Sequence, residues 1–175
     1  MQDIGDYQIR LTAKKQEETI SSKEEATRNR TYYSFWEKAL PVLRAKTGMY
    51  NNVSPAKDNW VTGASGHTGI TFNSIILMSG ARAEIYIDTG DEQRNTEIYE
   101  KLRAKEHNID PSFSKTLVWQ DLPGKRAYKI CIEYHDYGLK NEEHWDEIID
   151  WLASNMAALI NAFRPLLDDV MKTIH

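Results

Sequence analysis

At 175 residues the chain has the length of one compact domain of roughly 100–200 residues. Its apolar fraction of 41% excludes a wholly disordered chain, and 22 Lys+Arg against 26 Asp+Glu, a net charge of −4, excludes attachment to nucleic acid by bulk charge. One cysteine, Cys131, excludes an internal disulfide framework, and no apolar run approaches the roughly 18 residues of a membrane span.

The first residues, Met1 to Asp6, lack the basic stretch and apolar run of a signal peptide, so a cytoplasmic setting is expected. Residues 1–27 are rich in Lys and Glu and poor in large apolar side chains. They read as an N-terminal arm or linker, with Tyr7, Ile9 and Leu11 alternating as one short strand that a partner's sheet edge would have to complete. Residues 28–175 read as a single domain. A helix is expected to begin between Ser22 and Arg30, with Ser22 and Glu25 as a capping box. Tyr32, Phe35, Trp36, Ala39, Leu40 and Leu43 form its apolar stripe, Pro41 should bend it and Gly48 should end it.

Residues 49–69, with Asn51, Asn52, Pro55, Gly63, Gly66 and Gly69, read as loop. A hairpin follows. Gly69 to Met78 is its first strand, and Ser79-Gly80 its turn. Ala81 to Asp88 is the second strand, with Ala81, Ala83, Ile85 and Ile87 on one side and Arg82, Glu84, Tyr86 and Asp88 on the other. A helix over about Asp91 to His107 carries Ile98 and Leu102 inward and stops at Asp110-Pro111. Thr116 to Leu122 and Arg126 to His135 form a second hairpin around Pro123-Gly124, the latter strand showing Lys129, Cys131, Glu133 and His135 on its polar side. Asn141 is read as the N-cap of a last helix, whose stripe runs from Trp145 through Ile148, Leu152, Met156, Leu159, Phe163 and Leu167 to Val170. Some 30 residues would span roughly 45 Å, more than a four-stranded sheet needs as cover, leaving its end for the first helix or another subunit. The expected fold is α+β in two layers: two β-hairpins in one antiparallel sheet, helices on one face, order α-ββ-α-ββ-α.

Arg82-Ala83-Glu84-Ile85-Tyr86-Ile87-Asp88, then Ile98-Tyr99-Glu100-Lys101-Leu102, Leu117-Val118-Trp119-Gln120-Asp121-Leu122, Arg126 to Ile132, and Trp145 with Trp151 follow a specific order. Over about residues 28–172 this order resembles the bacterial domain of unknown function 4268. The resemblance implies the C-terminal part of longer proteins whose N-terminal part is similar to restriction-endonuclease-like nucleases. It therefore implies a link to DNA restriction or defence and supplies no catalytic mechanism. With residues 1–27 read as an arm or linker, no nuclease domain is expected upstream in this chain.

The candidate chemistry is thin. A restriction-type nuclease needs an acidic-x-Lys pair on a strand, and Glu84-Ile85-Tyr86 and Glu133-Tyr134-His135 lack the lysine. Gly63-x-x-Gly66-x-x-Gly69 lacks the Lys-Ser/Thr ending of a phosphate loop and reads as a flexible approach to the hairpin. His144 with Glu143 and Glu147 has no metal-ligand motif around it, and His67, His107 and His175 read as solvent-exposed. His135 lies some 13 Å along the strand from Cys131, so the thiol reads as structural. Neither a catalytic residue, a metal nor a cofactor is expected.

What remains is a polar strand face. Arg82, Glu84, Tyr86 and Asp88, with Lys129, Glu133 and His135, are expected on the side without helices, and Trp119 is either a neighbour there or core. The favoured function is a non-catalytic binding or accessory module, acting on a protein partner or as a homo-oligomer. The alternatives are a DNA-binding module, using this face or Lys125-Arg126 with Arg103 and Lys105, and a small-molecule enzyme with a pocket collecting Arg82, Glu84 and His135 beside loop 49–69.

Overall fold

The computed structural model describes residues 4–175. The chain begins with one long helix, α1 (Ile4–Thr47), where the sequence suggests a strand, a break and a new helix. The Tyr7–Leu11 strand and the Ser22 cap are thereby corrected: both positions lie inside α1. Three alternating residues are a weak strand signal beside a long run of Lys, Glu, Gln and Ala, all good helix formers. From Gln8 to Arg28 every side chain of α1 is exposed, and burial begins in earnest at Phe35. Pro41 lies within the helix, and Gly48, at φ +69°, ends it by returning its N–H to the Arg44 carbonyl at 2.9 Å.

The Arg44 side chain then holds the following loop, donating to the carbonyls of Tyr50 (3.0 Å) and Val53 (2.6 Å). That loop leads into a strand absent from the sequence reading, β1 (Trp60–Ala64). It is five residues long, contains Gly63 and buries one large apolar side chain, Val61, so no periodic signal marks it. Next come β2 (Ile70–Leu77), β3 (Gly80–Ile87), α2 (Glu92–Ala104), β4 (Val118–Asp121), β5 (Tyr128–Tyr134) and α3 (Trp145–Met171). Asn141 does not cap α3; its side chain accepts the Gly138 N–H, and a short 3-10 turn, Glu142–His144, precedes the helix.

The strands form one antiparallel sheet in the order β1-β2-β3-β5-β4. The fold is thus α+β with five strands among the described residues, in the order α-βββ-α-ββ-α, one strand more than expected. β3 and β5 join the two hairpins into a single layer. Ala81, Ala83, Ile85 and Ile87 are buried on the helical side, where α3 crosses β2 and β3 and α2 packs on β3, β5 and α3. α1 packs against α3. Leu166, Leu167 and Val170 are buried, so of the two covers expected for the end of α3, the first helix or another subunit, the chain itself supplies one. No helix among the described residues is long and apolar enough to cross a membrane.

Candidate functional site

Side chains directly opposite each other in an antiparallel pair share a face. Pairing of β3 with β5 sets Arg82 opposite Glu133, Glu84 opposite Cys131 and Tyr86 opposite Lys129. Pairing of β3 with β2 adds Ile75 beside Arg82 and Asn73 beside Glu84, and β1 brings Trp60 beyond Ile75. The face away from the helices is therefore a lattice of cross-strand rows, one running Trp60, Ile75, Arg82, Glu133 and the next Thr62, Asn73, Glu84, Cys131.

These rows surround a cavity of about 350 Å³ lined by Asn59, Trp60, Asn73, Ile75, Arg82, Glu84 and Tyr86. Trp60 is 46% exposed at its rim, whereas Glu84 is only 4% exposed at its floor. The Glu84 carboxylate accepts from Asn73 Nδ2 at 3.4 Å and lies 3.7 Å from Arg82 Nε. Asn73 Oδ1, Arg82 Nε and Glu84 Oε1 are buried without a hydrogen-bond partner among the described residues. An unpaired buried polar atom costs about 1–3 kcal/mol, a cost that Asn73 Oδ1 bears in full and that the 3.7 Å charge contact partly offsets for Arg82 Nε and Glu84 Oε1.

Burial pushes the Glu84 carboxyl above the usual carboxylate range, against the opposing pull of Arg82, Asn73 and Lys129. A raised folded-state pKa means that Glu84 favours the folded chain fully when protonated, below the unfolded carboxylate range near pH 4, and loses that contribution as pH rises through the raised value. Glu84→Gln is accordingly expected to melt higher than the parent at pH 7, with the gap closing on acidification. Thermal melts at the two pH values test this; a lower melting point at pH 7 would mean that the Arg82 pairing outweighs burial.

The remaining predicted residues scatter. Asp88 lies past the end of β3, where it accepts from Arg126 Nε at 2.8 Å, from Arg126 Nη2 and from the Gly90 N–H. The Arg126 guanidinium holds its carboxyl below the usual range. His135 follows β5, mostly exposed, 3.1 Å from Glu133 and outside the cavity. Glu133 also accepts from the Cys131 thiol at 3.7 Å, and burial, then the Glu133 charge, pushes that thiol up to about 12, far from the reactive thiolate range.

Of the two readings of Trp119, the polar-face neighbour gives way to core, on the other face of the sheet. Trp119 stands opposite Ile130, packs on Phe163 and Tyr99, donates to Glu106 and carries Arg103 at 4.8 Å over its ring. Of the basic group proposed for DNA, Arg126 is bound to Asp88 and Arg103 is seated on Trp119, so half of it is already engaged. His67 is not free in its loop either; Nε2 meets Asp168 of α3 at 2.7 Å. His144 stacks on Tyr137 and pairs with Glu147. Among the described residues no three His, Cys, Asp or Glu side chains gather as metal ligands would.

Sequence reasoning missed Asn73. Trp60 stood out as a tryptophan of unsettled role, an aromatic able to stack a base if exposed, but in a segment read as loop and not as strand. Asn73 alternates with Thr71 and Ile75 on β2, but only its pairing with Glu84 gives it a place in the site.

Residues 31–167 match the family described as Domain of unknown function (DUF4268). The chain belongs to this family. The matched span runs from within α1 into α3 and contains the whole sheet with its cavity, while the exposed Gln8–Arg28 part of α1 precedes it. No curated protein and no solved structure matches the chain. The DUF4268 assignment therefore carries the fold region and the cavity together, and brings no activity with it.

Proposed function

We propose that this chain is a non-catalytic, cytoplasmic binding module, an accessory domain of bacterial DNA restriction or defence systems, that works through protein contacts made by α1. The observation carrying the reading is the exposure of every side chain from Gln8 to Arg28, a rod of about 30 Å. A helix of this length without a packed face is marginal in water, so a partner surface supplies what the chain itself does not. Ile9, Leu11 and Ile20 are exposed along it. Where α1 leaves the body, Ile20, Thr27 and Thr31 form an open groove with Met78 and Leu139, its volume about 540 Å³ and its Ile20 and Met78 side chains about half exposed. The link to restriction or defence rests on the family resemblance of the strands and helices named above.

The test compares the full chain with one lacking residues 1–28. Light scattering is expected to give either a multiple of 20.2 kDa that falls to the monomer on truncation, or a monomer that captures a protein encoded beside it only when the segment is present. A monomer that captures none of its neighbours' products, or association that survives the truncation, removes the reading.

A further inference from the structure

We propose that the cavity on the open sheet face binds a planar nitrogen heterocycle through a guanine-type hydrogen-bonding edge. The inference stands apart from the α1 reading, since the cavity lies on a different surface. Its floor holds two acceptors and one donor without hydrogen-bond partners, Asn73 Oδ1, Glu84 Oε1 and Arg82 Nε, the last two in a charge contact of 3.7 Å with each other. The complement of that set is an edge carrying two N–H donors next to one acceptor. Guanine presents this in its N1–H, its N2 amino group and its O6. Cytosine and adenine each present one amino group beside ring acceptors, and so leave one floor acceptor unanswered.

Charge and shape agree with this edge. Arg82 and Glu84 form an ion pair at 3.7 Å, so the floor carries no net charge and does not select an anion or a cation. A heterocycle edge is neutral and satisfies both partners. The Arg82 side chain is a quarter exposed at the cavity wall. The volume, about 350 Å³, is at the small end for ligand sites and suits one ring system. Trp60 supplies an exposed indole at the rim against which a ring stacks, with Ile75 below it in the same row. Tyr86 closes the far corner, four residues along β3 from Arg82. The desolvation that raises the Glu84 carboxyl makes a pair of ligand N–H groups more valuable there than at an exposed carboxylate.

Such an edge arrives either on a free nucleoside or on an unpaired base in a single strand. The test follows tryptophan fluorescence of the full chain during titration with guanosine, cytidine and adenosine, and with single-stranded oligonucleotides that contain or lack guanine. Saturable quenching by guanosine, at least tenfold tighter than by cytidine or adenosine, is expected. Glu84→Gln exchanges one floor acceptor for a donor and should weaken guanosine at least tenfold. Trp60→Ala, at an exposed position, should weaken it as well, while Trp119→Phe on the other face leaves it unchanged. Circular dichroism confirms that each variant is folded. Response to guanosine identifies the free compound; response only to the guanine-containing strand identifies a base held in nucleic acid, and either supports the shared chemistry. No saturable response to any of these ligands, equal binding of all three nucleosides, or binding indifferent to both Glu84→Gln and Trp60→Ala overturns the proposal.

Discussion

Trp36→Ala is expected to cost about 3–5 kcal/mol, the range for deleting a fully buried aromatic side chain. Trp36 has no exposed surface and donates its indole N–H to the Asp58 carbonyl at 2.9 Å. Phe35 stands edge-on to it at 5.0 Å and edge-on to Trp145 of α3 at 5.4 Å. The cluster thus ties the inner part of α1 to the start of α3 and to the loop that feeds β1. Alanine leaves a cavity among rings that cannot collapse into it, and leaves the Asp58 carbonyl without its donor. Urea unfolding measures the loss. Trp60→Ala is the companion measurement, because Trp60 is exposed and its removal should stay within about 0.5 kcal/mol of the parent. A Trp36→Ala loss below about 1.5 kcal/mol would show that α1 is not seated by this cluster. The outcome matters for the proposed function, since a rod that presents a binding surface has to be anchored at one end.

Asn95→Ala is expected to cost about 3 kcal/mol, an unusual amount for one polar residue. Asn95 is wholly buried in the first turn of α2 and uses its full hydrogen-bonding capacity. Its Oδ1 accepts from the Thr89 N–H at 2.7 Å and the Thr89 hydroxyl at 2.6 Å; its Nδ2 donates to the Arg126 carbonyl at 3.2 Å and to Asp88 at 3.4 Å. One amide therefore clamps the end of β3, the start of α2 and the entry to β5. Alanine strands backbone groups that water reaches poorly. For a domain of this size the loss should lower the melting temperature by roughly 6–12 °C. Asn95→Asp keeps the acceptors but turns a carboxylate toward the Arg126 carbonyl and Asp88, so it should cost more than alanine at neutral pH. Thermal melts of the two variants decide the matter. A shift under about 2 °C for Asn95→Ala would mean that solvent replaces the clamp.

How legible the molecule was differs from element to element. The stripe from Trp145 to Val170 and the alternation from Ala81 to Ile87 announce themselves, because each repeats one period over enough residues to stand out. Ile98 and Leu102 sit where their spacing puts them, and Gly48 ends α1 with the positive φ that glycine adopts without strain. β1 has no such repetition and is a strand because β2 offers it an edge. The exposed part of α1 carries no stripe either, so its helicity rests on propensity and on continuity with the seated turns beyond it.

Within the site, Arg82, Glu84 and Tyr86 were recognisable as one polar side of one strand. Trp119 was left between the polar face and the core because parity along a four-residue strand gives no warning of which side faces the helices, and a shift of one residue reverses every side chain. Local periodicity, in short, establishes the class of fold and the polar side of β3, because those properties depend on neighbours in the chain. The burial of Glu84, its meeting with Asn73 and the arrival of Trp60 at the rim depend on which strands pair and in what register. Those choices are made by surfaces distant in sequence, so they exist only once the sheet has closed.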